Sequence, residues 1–269
     1  MIKIEKDITK VPLSLRIPIT VNFTDGKIPR PPRTTHTRRL ELIRKGKYVD
    51  KPLYNNRYKI KDIKEALNNI YNGKCAFCEW KVEQYHVEHY RPKTTYYWLA
   101  YSWDNLLYSC SSCNQYKGVN FKLNGTSATF AFSYKNLKLI NQSSSNYDAI
   151  EIPMMVNPEV TEPLGNIQFE ENGIIKSNDP RFSYTIEYCK IDRIPLNDER
   201  RSILNSFRND IRAILNEKST LPHIVRTKIY TIVQKFVRDS QDKKNQFLAF
   251  RRYAITQGWL NKIIKELTQ

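Results

Sequence analysis

The sequence predicts an α+β fold in which a small core stapled by a metal ion sits inside a mostly helical protein. Three observations predict it. Two C-x-x-C pairs, Cys75 with Cys78 and Cys110 with Cys113, are separated by 31 residues. The stretch between them is rich in aromatic and β-branched residues, as short strands require. From Glu199 onward, apolar residues recur at helical spacing. A chain of 269 residues can bury a sizeable core, and 40% hydrophobic content excludes a disordered polyelectrolyte. Against 27 Asp and Glu stand 44 Lys and Arg, a net charge of +17 that makes polyanions the natural partners through counterion release. No apolar run reaches the roughly 18–20 residues that span a bilayer. The opening MIKIEKDITKVPLSL lacks the apolar stretch of a secretory signal. The expectation is a cytoplasmic protein without membrane contact.

In chain order, residues 1–57 read as a basic, Pro-rich extension. Prolines at 12, 18, 29, 31 and 32 argue against long regular elements there. Between Lys27 and Lys47 eight basic residues accompany one acid, Glu41, so this region is either solvated or an arm that tracks phosphates. A short helix over Thr35–Lys45 would end at Gly46. Residues 58–71 form a helix, because Ile60, Ile63, Leu67 and Ile70 share one face and Asn72-Gly73 stops it. The first cysteine pair follows, then a strand or hairpin arm over 82–90, VEQYHVEHY. The serines at 143–145 mark a loop. Residues 151–198 are mixed, with Asn172-Gly173 between apolar runs as a hairpin turn. Three amphipathic helices close the chain. Ile203, Leu204, Phe207, Ile211, Ile214 and Leu215 stripe the first, and Ile224, Val225, Ile229, Val233, Phe236 and Val237 the second. Phe247, Phe250, Ala254 and the run from Trp259 to Ile264 mark the third. There is no internal repeat.

Paired cysteines in a reducing compartment suggest metal before disulfides. A two-residue gap lets both thiolates reach one ion, so Cys75, Cys78, Cys110 and Cys113 are assigned to one structural Zn²⁺. Cys189, in YTIEYCKI, has no partner and is read as a small buried hydrophobe.

Between the pairs lie the parts for cutting a phosphodiester: a base for water, a hard cation, and positive charge for the phosphate. His89 is the nearby group whose ordinary pKa suits a base near neutrality. Glu88 and Asn114 offer the oxygen ligands that Mg²⁺ or Mn²⁺ prefers. Arg91, Lys93 and Lys117 are candidates for holding phosphates. His86, three residues before His89, is read as structural or merely exposed, and His223, beside Pro222, as structural. Tyr96, Tyr97, Trp98, Tyr101 and Trp103 are read as core packing rather than a base-stacking platform.

The motifs CAFC, VEHYRP, WDNL and CSSCNQYKG, in this order, resemble the HNH endonuclease family, whose ββα-metal core is often stapled by two such knuckles on one zinc. The resemblance implies that His89 is the general base, and that Glu88 and Asn114 bind one catalytic Mg²⁺ or Mn²⁺. It implies that Asn105 completes the catalytic set by tying the loop to the catalytic strand. Glu88 departs from the family, where Asp is commoner. VEHYRPK, YYWLAYSWDNLLYSCSSCNQYKG, VNPEV, IQFEENGII and the stretch after IDRIPLNDERR further resemble the PtuB-like nucleases of Septu-type and retron-linked antiphage systems, from about residue 58 to 215. That resemblance implies a nuclease core over 58–130 and a mixed, then α-helical region over 131–269. It also implies a DNA substrate and a neighbouring ABC- or SMC-like ATPase partner. Two alternatives stay open: a non-catalytic zinc module that binds nucleic acid or a protein, and an HNH toxin that cuts RNA such as tRNA.

Overall fold

The computed structural model describes residues 1–17, 34–217 and 221–269. The prolines at 18, 29, 31 and 32 and the basic residues Lys27, Arg30 and Arg33 lie outside the described residues.

Helix α1 (Thr35–Lys45) starts where the Thr34 hydroxyl accepts from the Thr37 N–H, and ends at Gly46 in the left-handed region (φ 63°). Its basic residues divide, with Arg44 and Lys45 exposed and the other two drawn into the fold. Arg38 and Arg39 are buried, Arg38 pairs with Glu41, and Arg39 donates to the Tyr101 carbonyl at 2.7 Å. Before α1, Ile4 and Leu15 are buried. Lys6 donates to the carbonyls of Trp103 (2.6 Å) and Leu106 (2.7 Å) and pairs with Glu159.

Helix α2 (Lys61–Tyr71) begins later than the apolar pattern suggests, because Asn56–Tyr58 forms a separate tight turn. Ile63 and Leu67 are buried, while Ile60 and Ile70 are half-buried against the core. Asn72 (φ 52°) ends the helix in the left-handed region. Strand β1 (Tyr85–His89) occupies the second half of the predicted 82–90 stretch. It pairs antiparallel with β2 (Leu106–Cys110), with Tyr85 opposite Cys110 and His89 opposite Leu106. Helix α3 (Ser111–Lys117) follows β2 at once, its first turn capped by the Cys110 sulfur accepting from Cys113 N–H. These three elements are the ββα unit, embedded in helices as expected.

The hairpin at Asn172-Gly173 joins β3 (Gln168–Phe169) to β4 (Ile175–Lys176). Gly173 has φ 90°, and a Cβ added there would stand 2.0 Å from the Asn197 carbonyl oxygen, so the turn needs glycine twice over. A helix not anticipated in this mixed region, α4 (Pro180–Cys189), has Asp179 as its N-cap and Pro180 in its first turn. Cys189 ends it, buried, with its sulfur 3.9 Å from that of Met155.

Among the described residues the C-terminal part holds four helices, not three: α5 (Ile194–Leu215), α6 (Pro222–Gln241), α7 (Leu248–Thr256) and α8 (Trp259–Thr268). The expected third helix breaks at Gln257-Gly258, where Gly258 turns left-handed (φ 68°). The stripe Leu204, Phe207, Ile211 and Ile214 of α5 is buried, as are Phe236, Phe250 and Ile263 on the other three. One large core runs through α2, the ββα unit and α4 to α8. A smaller one gathers Tyr96, Trp98, Leu99, Leu137 and Ile140, so the aromatic cluster packs as predicted. Tyr101 and Trp103 join the large core, while Tyr97 is half-buried. Among the described residues no helix is long and apolar enough to cross a membrane.

Candidate active site

The four predicted zinc cysteines come together. Cys75 and Cys78 lie on the loop after α2, Cys110 closes β2, and Cys113 sits in the first turn of α3. All are buried, and their sulfurs lie within 4.8 Å of one another. Tetrahedral zinc with bonds of about 2.3 Å separates its sulfurs by about 3.8 Å. The Cys78 and Cys110 sulfurs are 3.9 Å apart, so the set fits zinc. Two further residues support this centre, Arg193 distant in sequence and Glu79 next to Cys78. The Arg193 guanidinium, at the start of α5, donates to Cys113 (3.4 Å), Cys110 (3.7 Å) and Cys78 (3.9 Å). One guanidinium beside three of the sulfurs offsets part of the negative charge that four thiolates leave on a zinc centre. Glu79, held at φ 63° directly after the knuckle, accepts from the N–H groups of Leu248 (2.7 Å) and Ala249 (3.3 Å) and so caps α7.

The opposite end of β1 opens onto a cleft of about 510 Å³ lined by Glu88, His89, Asn114, Lys93, His86 and Tyr58 among others. His89 Nε2 lies 2.9 Å from the Ala100 carbonyl oxygen. A carbonyl only accepts, so Nε2 carries the proton, and in the neutral ring Nδ1 carries the lone pair. Burial, and after it the Lys93 ammonium, pushes His89 down to about 3, so the imidazole is neutral at physiological pH but a weaker base than the ordinary pKa behind the sequence expectation implies. The Tyr58 ring meets the imidazole edge-on, with centroids 4.6 Å apart and planes at 84°. One proton-accepting nitrogen is thus fixed by a backbone bond and a packed ring.

Glu88 is buried beside it. Its Oε1 accepts from His89 N–H (2.8 Å) and the Lys117 ammonium (3.0 Å), and its Oε2 from the Asn114 amide. A carboxylate and an amide in hydrogen-bond contact in an open cleft can offer a divalent cation hard oxygen donors. These are the donors that Mg²⁺ and Mn²⁺ take.

Asn105 does not line the cleft. It is fully buried, with Oδ1 accepting from Arg91 N–H (2.8 Å) and Nδ2 donating to the carbonyls of Arg91 (3.1 Å) and Leu99 (3.3 Å). Its place is behind the loop that delivers the Ala100 carbonyl to His89, where it ties that loop to β2.

The three phosphate candidates part company. Arg91 is fully buried and bonded to Glu151 (2.8 Å), Asp148 (2.6 Å) and Ser144 (3.0 Å), so its guanidinium is not presented to a phosphate. Lys117 is equally buried, bridging Glu88 Oε1 and the His89 carbonyl (2.8 Å). Both are corrected to internal braces, because burial leaves a cation to the carboxylates and carbonyls around it. Lys93 alone of the three lines the cleft. His86 is exposed at its rim, and His223 is exposed on the first turn of α6.

Residues 75–120 match the family model described as HNH endonuclease. This segment is similar to the HNH endonucleases. Over 196 residues the chain is also 29% identical to Septu protein PtuB of Bacillus mycoides (strain KBAB4), which covers 66% of this chain and 63% of that relative. A second Septu protein PtuB, from Bacillus thuringiensis, is 44% identical over 62 residues, 22% of this chain and 24% of that relative. The chain thus resembles PtuB beyond the HNH domain, while matching less than two thirds of that relative's length. Sequence reading missed Tyr58 and Arg193. Both lie outside the HNH domain, and no spacing rule links Arg193 to a cysteine 80 positions away.

Proposed function

We propose that this chain is a metal-dependent endonuclease that hydrolyses phosphodiester bonds of DNA. The observation that carries this reading is the fixed tautomer of His89, with Nε2 bonded to Ala100, in the same cleft as the Glu88–Asn114 pair. His89 Nδ1 takes the proton from a water that attacks phosphorus, while Ala100 holds the ring through both protonation states. Lys93 steadies the negative phosphate at the mouth of the cleft. A Mg²⁺ or Mn²⁺ held by Glu88 and Asn114 would supply the charge that stabilises the departing 3′ oxygen. The zinc centre is structural and sets the frame of the ββα unit.

The likeness to Septu protein PtuB supports a place in antiphage defence. The motif resemblance to PtuB-like nucleases further supports an ABC- or SMC-like ATPase as partner. A zinc module that only binds nucleic acid would need neither a fixed imidazole nor a paired carboxylate beside it. The test is plasmid nicking in Mg²⁺ and Mn²⁺, with and without chelator, by wild type and His89→Ala, and an RNA arm in parallel. Cation-dependent nicking lost in His89→Ala is expected. A fully active His89→Ala protein, or a folded wild type inert in every cation, overturns the reading.

A further inference from the structure

Part of the cleft is built by residues that precede the HNH domain. Tyr58 and Lys59 come from the turn before α2, and Lys64 from its first turn, while Lys93 joins from the loop after β1. Each of these three lysines sits over a tyrosine ring. The Lys93 ammonium is 4.7 Å from the centre of Tyr48 and 4.8 Å from that of Tyr58. Lys59 lies 5.5 Å from Tyr58, and Lys64 lies 5.4 Å from Tyr85. The Tyr58 hydroxyl also accepts from Lys93 at 2.7 Å. Among the described residues none of the three makes an ion pair with a carboxylate, and Glu88 is the one acid lining the cleft.

A ring face attracts an ammonium without neutralising it. A lysine seated in this way keeps its charge for a ligand and has less side-chain freedom to lose when that ligand arrives. Tyr58 has Lys59 near its ring, Lys93 on its hydroxyl and His89 packed perpendicular to it, so protein groups surround it and it is not open for a base to stack on. What this wall presents is charge and not a stacking platform. The matching ligand is a chain of phosphates.

We propose that Lys59, Lys64 and Lys93, each seated on a tyrosine, form the wall that grips the phosphodiester backbone beside His89. The proposal rests on the nuclease reading and names the surface that holds its substrate. Binding through this wall is blind to base sequence, and the surface belongs to residues 58–64 rather than to the matched domain alone.

The test measures binding of a fluorescent DNA duplex and an RNA hairpin across a salt series, in the His89→Ala background so that nothing is cut. Lys59→Ala/Lys64→Ala is compared with Lys135→Ala/Lys138→Ala, a pair of exposed lysines on the short helix Tyr134–Lys138 that removes the same charge away from the cleft. For DNA, losing two phosphate contacts should flatten the slope of log affinity against log salt by about 2. The control pair should leave the slope as it was, and scrambling the base sequence should change neither result. An unchanged slope in both nucleic acids, or an equal loss in the control, overturns the proposal. The nuclease reading fails separately, if wild type cuts neither nucleic acid in any cation.

Discussion

Replacing Asn105 with alanine should damage the frame of the site and not its metal chemistry, and the size of the damage can be worked out. The side chain is fully buried and meets the Arg91 N–H at 2.8 Å and the Arg91 carbonyl at 3.1 Å. Its third partner, the Leu99 carbonyl, also accepts from Ser102 N–H at 3.0 Å and keeps that bond. Asn105→Ala therefore strands two buried backbone groups, each at about 1–3 kcal/mol. Local relaxation recovers part, leaving about 3 kcal/mol. In a chain of this length that lowers Tm by about 6 °C. The loop carrying Ala100 loosens, so kcat should fall while the Mg²⁺ or Mn²⁺ concentration for half-maximal activity stays put. Thermal denaturation and a cation titration of nicking read the two effects apart. A variant with unchanged Tm and a raised cation requirement would refute the argument and make Asn105 a ligand.

Glu88→Ala and Asn114→Ala should do the converse, raising the cation requirement with zinc content unchanged, as read by cation titration and elemental analysis. His89→Ala should lower the cleavage rate about 10²–10⁴-fold. It should also unfold at a somewhat lower temperature, because the ring is buried against Tyr58. Purified protein should carry about one zinc per chain by elemental analysis, and Cys113→Ser should cost solubility as well as activity. Arg193→Ala should speed zinc release to a chelator while leaving the four thiolates in place; an unchanged release rate would leave its three sulfur contacts without consequence.

How much of this was legible depended on how local each signal is. The cysteine pairs and the Glu88-His89 step are local chemistry, and sequence reading found them. The hairpin at Asn172-Gly173 and the end of α2 at Asn72 follow from backbone conformations that few residues adopt. Helix α4 was missed because its short apolar face is weak, although Asp179-Pro180 announces its start. The break before α8 was missed because a single glycine inside an apolar pattern does not reveal whether the helix bends or ends there. The fates of Arg91 and Lys117 were invisible for a different reason. A basic residue beside such a motif looks the same in sequence whether its anionic partner is a ligand's phosphate or the carboxylate of Glu151, 60 positions on.

The HNH unit is too small to hold itself together. Its two strands have five residues each and its helix has seven. Such a core buries little of its own apolar surface, which is why a metal staple suits it. Here the staple is itself held from outside, by Arg193 on three sulfurs and by Glu79 capping α7. The back of β2 is pinned by Lys6, and the loop after β1 by Arg91 on Asp148 and Glu151. Every one of these ties reaches an element beyond residues 75–120 or comes from one. The surrounding helices are therefore part of the frame of the cleft. It follows that residues 75–120 expressed alone, even loaded with zinc, should lack the ordered loop that presents the Ala100 carbonyl to His89. Zinc binding with no nicking by that fragment is the expected outcome. A fragment as active as the full chain would show that the surround contributes nothing to the geometry of the cleft.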